Sequence, residues 1–442
     1  MKKALATILA LVMAIGLCSI SWATESGLPA VENGVIKLTG NATTATLQDD
    51  IIYDLNSHTL TYSGTTHEVA EGKTLTFMDS SVTGNARGGT LELSGVTGTR
   101  AAINPQRGAT LKVSNIKVTC TGSAFFPQGD AAKVDVTACD VTAPIYCVGT
   151  NAGSTNNYNV VITLKNSTFV SNTADGDNCA VMINVPGTLN IDNCTITGDR
   201  QAVLVRAGTA VITNSDIKTT GTFAGAATKY HSGAWSYGNE VPAAALTVGN
   251  YQNGPASAYL AEAKVTVTNT KLTAENDVPA IYTDANDTHK GDLTIGGDST
   301  VVKGNVMKGQ KADEHVSVIA VTGGTFSSDV SNFVDSAPVA SNNGTYYVGE
   351  ETIQNAANNL SAGQQLKIEK GAVTINGAEY RAGGNATYTK PSSGYYYHPT
   401  TDTKATDTKG SPKTFDAGIA LYVGMALTSA AGVAFVGKKR ED

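Results

Sequence analysis

The chain has 442 residues, of which only 16% are charged, and a net charge of −7. Charge this sparse and acidic argues against a nucleic-acid binder, which needs a basic face to displace counterions, and against a helical bundle. Hydrophobic residues at 41% supply ample core, so neither a disordered tail nor a disulfide-stapled miniprotein fits.

Lys2 and Lys3 precede an apolar run over residues 4–17, followed by Ser21-Trp22-Ala23. A basic start, a short apolar stretch and small residues at −3 and −1 predict a secretory signal peptide over 1–23. The mature chain is therefore expected outside the cell.

The middle of the chain repeats. Leu189, Ile191, Asn193 and Ile196 stand at offsets 0, +2, +4 and +7. The same frame fits Leu111, Val113, Asn115, Val118; Ile162, Leu164, Asn166, Phe169; Ala210, Ile212, Asn214, Ile217; and Val265, Val267, Asn269, Leu272. Weaker copies start at Val134, Leu293 and Ile319, so the steps run from 21 to 28 residues, with one of 55. Period-two alternation predicts strands. Asn at +4 predicts a tight turn, because Asn tolerates the left-handed backbone region. A further strand follows several copies, as at Ala180-Val181-Met182-Ile183 and Ala202-Val203-Leu204-Val205. A coil of this size cannot bury its apolar stripe alone, so coils must stack. The expected fold is all-β, a parallel β-solenoid with Asn115, Asn166, Asn193, Asn214 and Asn269 in one ladder, each amide bonding the next.

The step of 55 holds an insertion, about 219–240, with Tyr230, His231, Trp235 and Tyr237. Insertions on solenoids collect on the binding face, and aromatic rings stack on sugar C–H surfaces. These four residues are the candidate ligand contacts. An aromatic mini-core that holds the insertion down is the alternative, with Trp235 pinned and Tyr230 and Tyr237 exposed.

Five cysteines remain in the mature chain, at 120, 139, 147, 179 and 194, without Cys-x-x-Cys spacing. No zinc site is expected, and Cys139 and Cys194, both at offset +5, are expected to be small buried residues. The acidic clusters Asp175-Gly176-Asp177 and Asp284-Ala285-Asn286-Asp287 lie between strands. Neither completes a calcium loop, for want of Gly at the sixth position. They read as solvated turns, with a weak calcium site as the alternative. No other cofactor and no metal is expected, and no histidine is marked as catalytic.

Beyond the repeats, residues 352–360 predict a short amphipathic helix, followed by strands at 365–368 and 373–375. Residues 391–410 are polar and read as a linker. Residues 417–436 are uncharged and apolar, long enough to span ~30 Å of hydrocarbon, and Lys438, Lys439 and Arg440 follow.

Three segments carry a resemblance. The coil frame resembles right-handed parallel β-helix proteins of the pectate-lyase-like superfamily. Asp54-Leu55-Asn56-Ser57-His58-Thr59-Leu60 and Gly323-Gly324-Thr325-Phe326 resemble segments that open and close such domains on surface proteins of gut Clostridia. Ser411-Pro412-Lys413-Thr414-Phe415, with the apolar run and basic stub, resembles the sortase-type cell-wall sorting signal of Gram-positive surface proteins. There a sortase cuts after the threonine and joins it to peptidoglycan. Pro412 and Thr414 match that motif; Ser411 and Phe415 depart from it, and a plain membrane anchor is the alternative.

The expected organisation is a signal peptide over 1–23, a β-helix over 24–344, a small module or cap over 345–390, a linker over 391–410 and the sorting signal over 411–442. The resemblance implies sortase and peptidoglycan as anchoring partners. The expected function is a surface-displayed, non-catalytic binding face for a host or dietary glycan or a surface protein. The alternative is a polysaccharide lyase or glycoside hydrolase on the same scaffold, although the acidic sets of polygalacturonases and pectate lyases are not evident.

Overall fold

The computed structural model describes residues 27–98, 100–150, 159–173, 178–224, 241–249, 261–285, 289–309 and 316–392. The predicted signal peptide and the predicted apolar span at 417–436 lie outside them. Among the described residues no helix is long and apolar enough to cross a membrane.

The chain visits three sheets in turn. The first face is an 11-stranded parallel sheet from Val35–Lys37 to Ile319–Val321. The second runs parallel from Ala42–Thr44 to Gly324–Phe326 and then continues antiparallel, to 15 strands. The third combines a three-stranded sheet ending at Ser123–Phe125 with a five-stranded sheet from Cys179–Ile183 to Val306–Lys308. Val148 joins them through parallel bridges to Phe125 and Val181. This is a parallel β-helix.

The repeat frame is its register. Leu111, Val134, Ile162, Leu189, Ala210, Val265, Leu293 and Ile319 are successive partners on the first face. Val118, Val141, Phe169, Ile196, Ile217 and Leu272 are successive partners on the second. Both columns are buried in one continuous core. Three earlier coils begin at Val35, Ile51 and Thr74, and Tyr53 and Phe77 stack there with centroids 5.3 Å apart.

The turn between first and second faces explains the asparagines. Asn115, Asn166, Asn193, Asn214 and Asn269 all have φ between 50° and 58°, a region that costs most L-residues strain. Asn193 Nδ2 donates to Asn166 Oδ1 at 2.8 Å, so the expected ladder exists at that step. It does not run throughout. Asn214 Nδ2 turns to the Asp192 carboxylate at 2.9 Å, a stronger acceptor than an amide. Asn115 Nδ2 bonds the carbonyls of Gly84 and Ala86, and Ala138 occupies the next rung.

A second column, of hydroxyls, lies one residue further on. Ser167 Oγ accepts from Cys139 N at 3.0 Å and donates to Lys165 O at 2.6 Å. Ser215 Oγ does the same for Cys194 N and Thr213 O, and Thr270 Oγ1 for Ser215 N and Thr268 O. Each hydroxyl ties its own turn to the coil before it.

Antiparallel strands cover the C-terminal end. Thr345–Val348 pairs with Gly324–Phe326, Val339–Asn342 with Thr345–Val348, and Gln365–Lys370 with Val339–Asn342. Helix α1, Glu350–Asn359, lays Ile353 and Ala357 on Leu366, Ile368 and Val373 in a separate small core. Covering the last parallel strand removes an open edge on which another chain could pair.

Candidate binding face on the third sheet

Chain length is distributed unevenly around the coil. In six successive coils two residues separate the first-face strand from the second: Ser114 to Lys117, Thr137 to Asp140, Lys165 to Thr168, Asp192 to Thr195, Thr213 to Asp216 and Thr268 to Lys271. The junctions at the two ends of the third face vary instead. Gly198 leads to Gln201 directly, whereas Thr219 leads to Ala244. Val205 leads to Gly208, whereas Val248 leads to Ala263.

The outward side of this face has its own register. Met182, Leu204, Thr247, Tyr282 and Met307 are successive partners. Met182, Leu204 and Tyr282 are buried in an apolar cluster distinct from the main core. Thr247 Oγ1 and Gln201 Oε1 are buried without a hydrogen-bond partner. Buried polar atoms usually find one.

A polar row follows at the strand ends, at Asn184, Arg206, Gly249 and Asp284. Gly249 N donates to Val205 O at 2.8 Å and Asp284 N to Val248 O at 2.7 Å, which places these residues on successive rungs. Thr150 Oγ1 donates to Asn184 Oδ1 and accepts from Asn184 N, each at 2.8 Å. Gly249 has φ 126°, and a Cβ there would meet Asp284 O at 1.9 Å, so only glycine fits between the two charged rungs.

Asp284 corrects the reading of a solvated turn for its own member of the cluster, Asp287 lying outside the described residues. It is 6% exposed, and burial pushes its carboxyl up to about 7, against one backbone hydrogen bond from Ala285 N that lowers it. In the unfolded chain the group titrates near ~3.9. Between about pH 4 and 7 the folded protein holds a proton that the unfolded chain has released, so stability falls as pH rises, with a slope approaching ~1.4 kcal/mol per unit. Asp284→Asn is expected to flatten that slope and to be more stable than the parent at neutral pH. Urea midpoints across this range check it; an unchanged slope would mean the carboxyl titrates normally.

Tyr230, His231, Trp235 and Tyr237 lie outside the described residues, as do Asp175, Asp177, Asp287 and the segment Ser411 to Phe415. The root of the insertion is described. Ala243 N donates to Phe223 O at 2.8 Å, which closes the base on which the chain leaves and returns. Phe223 is 40% exposed, and the Arg200 guanidinium lies 3.8 Å from its ring centroid, a cation–π arrangement. Nothing in the sequence pairs these two residues, 23 positions apart; only the coil geometry does.

The remaining chemistry-bearing residues serve the fold. His67 Nε2 and Asp49 Oδ1 are 2.9 Å apart, and Asp49 Oδ2 accepts from Ala70 N, which fixes the first third-face strand. The Asp54-Leu55-Asn56-Ser57 segment is a turn. Asp54 accepts from Ser80 N and Oγ, Asn56 Nδ2 donates to Leu38 O, and Asn56 and Ser57 have positive φ. Cys139 and Cys194 are buried as expected. None of the five described cysteines is in a disulfide, and burial pushes the Cys139 and Cys147 thiols up to about 12, so those two are poor nucleophiles. Among the described residues no group of three or more His, Cys, Asp or Glu is arranged to hold a metal ion. No protein-family model, curated protein or solved structure matches the chain.

Proposed function

We propose that this chain is an extracellular, wall-anchored β-helix whose insertions, at the rim of the third face, are a binding surface for a glycan or a surface protein. The observation that carries the reading is the uneven distribution of chain length. One turn is held at two residues over six coils, while the junctions flanking the third face take the insertions, and in solenoids insertions concentrate on the binding face. Phe223 and Arg200 at the root of the longest insertion add an exposed ring with a cation over it, a surface suited to stacking on sugar C–H faces.

A catalytic reading on the same face draws support from Asp284, whose raised carboxyl suits a general acid. Sugar cleavage by acid and base needs a second carboxyl about 5–9.5 Å away. Among the described residues the row of Asn184, Arg206, Gly249 and Asp284 holds a single carboxyl, that of Asp284 itself. The binding reading is therefore preferred.

The signal-peptide pattern of residues 1–23 and the resemblance of Pro412-Lys413-Thr414 to a sorting motif support the address, with sortase and peptidoglycan as anchoring partners. One experiment tests both parts. Cells displaying the parent, a variant with residues 225–240 replaced by a short Gly-Ser link, and Thr414→Ala are fractionated, and the soluble proteins are applied to a glycan array with a reducing-end assay. The parent is expected in the wall fraction, Thr414→Ala in the membrane fraction, and array binding should fall at least tenfold on removal of 225–240. Release of reducing ends would replace binding by catalysis. Parent protein fully extractable by detergent would replace the wall anchor by a membrane anchor.

A further inference from the structure

We infer that the C-terminal cap holds a second, separate site, for one ring of an uncharged sugar. Between α1 and the second face lies an open cleft of about 320 Å³, at the small end of ligand pockets. One wall is helical. Asn355 and Asn359, four residues apart, face the same way, with Ala356 and Leu360, each one residue further on, adding an apolar strip to the lining. The opposite wall is the antiparallel junction where Thr325 pairs with Tyr347, so a hydroxyl and a half-buried ring stand side by side.

Three polar groups of the cleft are each held in place by one bond, with the other polar atom left open. Asn342 donates its amide to Gln365 O, which leaves its Oδ1 as an acceptor. Gln364 Oε1 accepts from Ser361 N at 2.8 Å, which leaves its Nε2 as a donor. Asp298 Oδ1 accepts from Thr352 Oγ1 at 3.0 Å, which leaves Oδ2. Among the described residues, the side-chain amides of Asn355 and Asn359 make no hydrogen bond within the chain.

The ligand class follows from this chemistry. No lysine or arginine lines the cleft and one carboxylate does, so phosphates, sulfates and uronates are disfavoured. Paired donors and acceptors beside an aromatic ring and a narrow apolar strip match a pyranose, whose hydroxyls both give and accept and whose C–H face is apolar. Preorganised side chains reduce the ordering cost of binding. The lining of this site runs from Asp298 to Gln364, beginning 58 residues beyond the insertion at 225–240 (298 − 240), and includes none of its residues.

The test is a titration of the purified mature chain with glucose, galactose, mannose and N-acetylglucosamine, and with glucuronate as the anionic control, read by ligand-observed NMR. At least one neutral sugar is expected to saturate at about millimolar concentration, ~1 mM, with glucuronate at least tenfold weaker. The double variant Asn355→Ala/Asn359→Ala changes two exposed helix positions to a better helix former, so its melting temperature should hold while the affinity falls about tenfold. Tyr347→Phe, which keeps the ring, should retain the C–H contact and lose less. Absence of saturation by all four neutral sugars, equal affinity in the double variant, or preference for glucuronate would each overturn the assignment. The variant with residues 225–240 removed should keep this monosaccharide saturation and lose it on adding Asn355→Ala/Asn359→Ala, which separates this site from the insertion.

Discussion

Asp79→Ala is expected to destabilise the N-terminal coils by about 3–5 kcal/mol. Asp79 is 2% exposed and gathers four donors: Ser57 N at 2.7 Å, Ser81 N at 2.8 Å, the Ser81 hydroxyl and Gly89 N. Each buried donor left without its acceptor costs ~1–3 kcal/mol, and two of the backbone donors are only partly buried, which keeps the total below the simple sum. The carboxylate organises the long turn of residues 79–89. A Cβ at Gly88 would meet its carboxyl at 2.3 Å, and one at Gly89 would meet His58 O at 2.2 Å, so Gly89→Ala should weaken the same turn. Burial raises the Asp79 pKa, and the hydrogen bonds from Ser81, Ser57 and Gly89 outweigh it, leaving the group below the ordinary carboxylate range. A depressed folded pKa contributes stability above the unfolded value of ~3.9 that is lost as pH falls through the folded one. The first coils should therefore open first in acid. Hydrogen exchange over residues 51–93 measures this, and protection unchanged in Asp79→Ala at neutral pH would refute it.

Phe169→Ala is expected to cost about 3–5 kcal/mol, as for other buried phenylalanines. The side chain is fully buried on the second face, between Val141 and Ile196 on the neighbouring rungs. In a stack the loss is local, since each coil contacts only its neighbours. The cavity should therefore divide the melt into two transitions, upstream and downstream of the coil that carries Phe169. Phe169→Leu, which refills most of the volume, should cost less and keep one transition. A single unshifted melt in the alanine variant would mean that the coils repack around the gap.

The coils from Leu111 onward were legible because one local constraint repeats there. A two-residue turn with a left-handed position selects Asn, and the fixed spacing keeps the apolar offsets in phase. The coils at Val35, Ile51 and Thr74 were not legible, because their turns are set by carboxylates that reach between coils, Asp54 forward to Ser80 and Asp79 back to Ser57, so spacing and residue type both change. The strand Ala244–Val248 was missed for a related reason: the insertion before it breaks the phase. Asp284 reads as a surface acid in the sequence, since neighbouring text is polar, and its burial arises from rungs that are distant along the chain. The resemblance of Asp54-Leu55-Asn56 to a family segment led to the right fold, because that segment is itself a turn. The cleft in the cap was not legible at all: Asp298, Asn342 and Asn359 meet only after an antiparallel hairpin folds back on a parallel stack.

The antiparallel strands laid over Gly324–Phe326 also constrain how such a chain can lengthen over evolutionary time. A parallel coil offers the same set of donors and acceptors above and below, so a duplicated coil can enter the stack at any interior rung without altering its neighbours. Beyond Phe326 the strand direction has reversed, and a further parallel coil has nothing to join. Growth and loss are thereby restricted to whole turns upstream of Gly324, in steps close to the spacing of the existing coils, while the terminal hairpins, α1 and the cleft beside it travel unchanged at the end of shorter and longer forms alike.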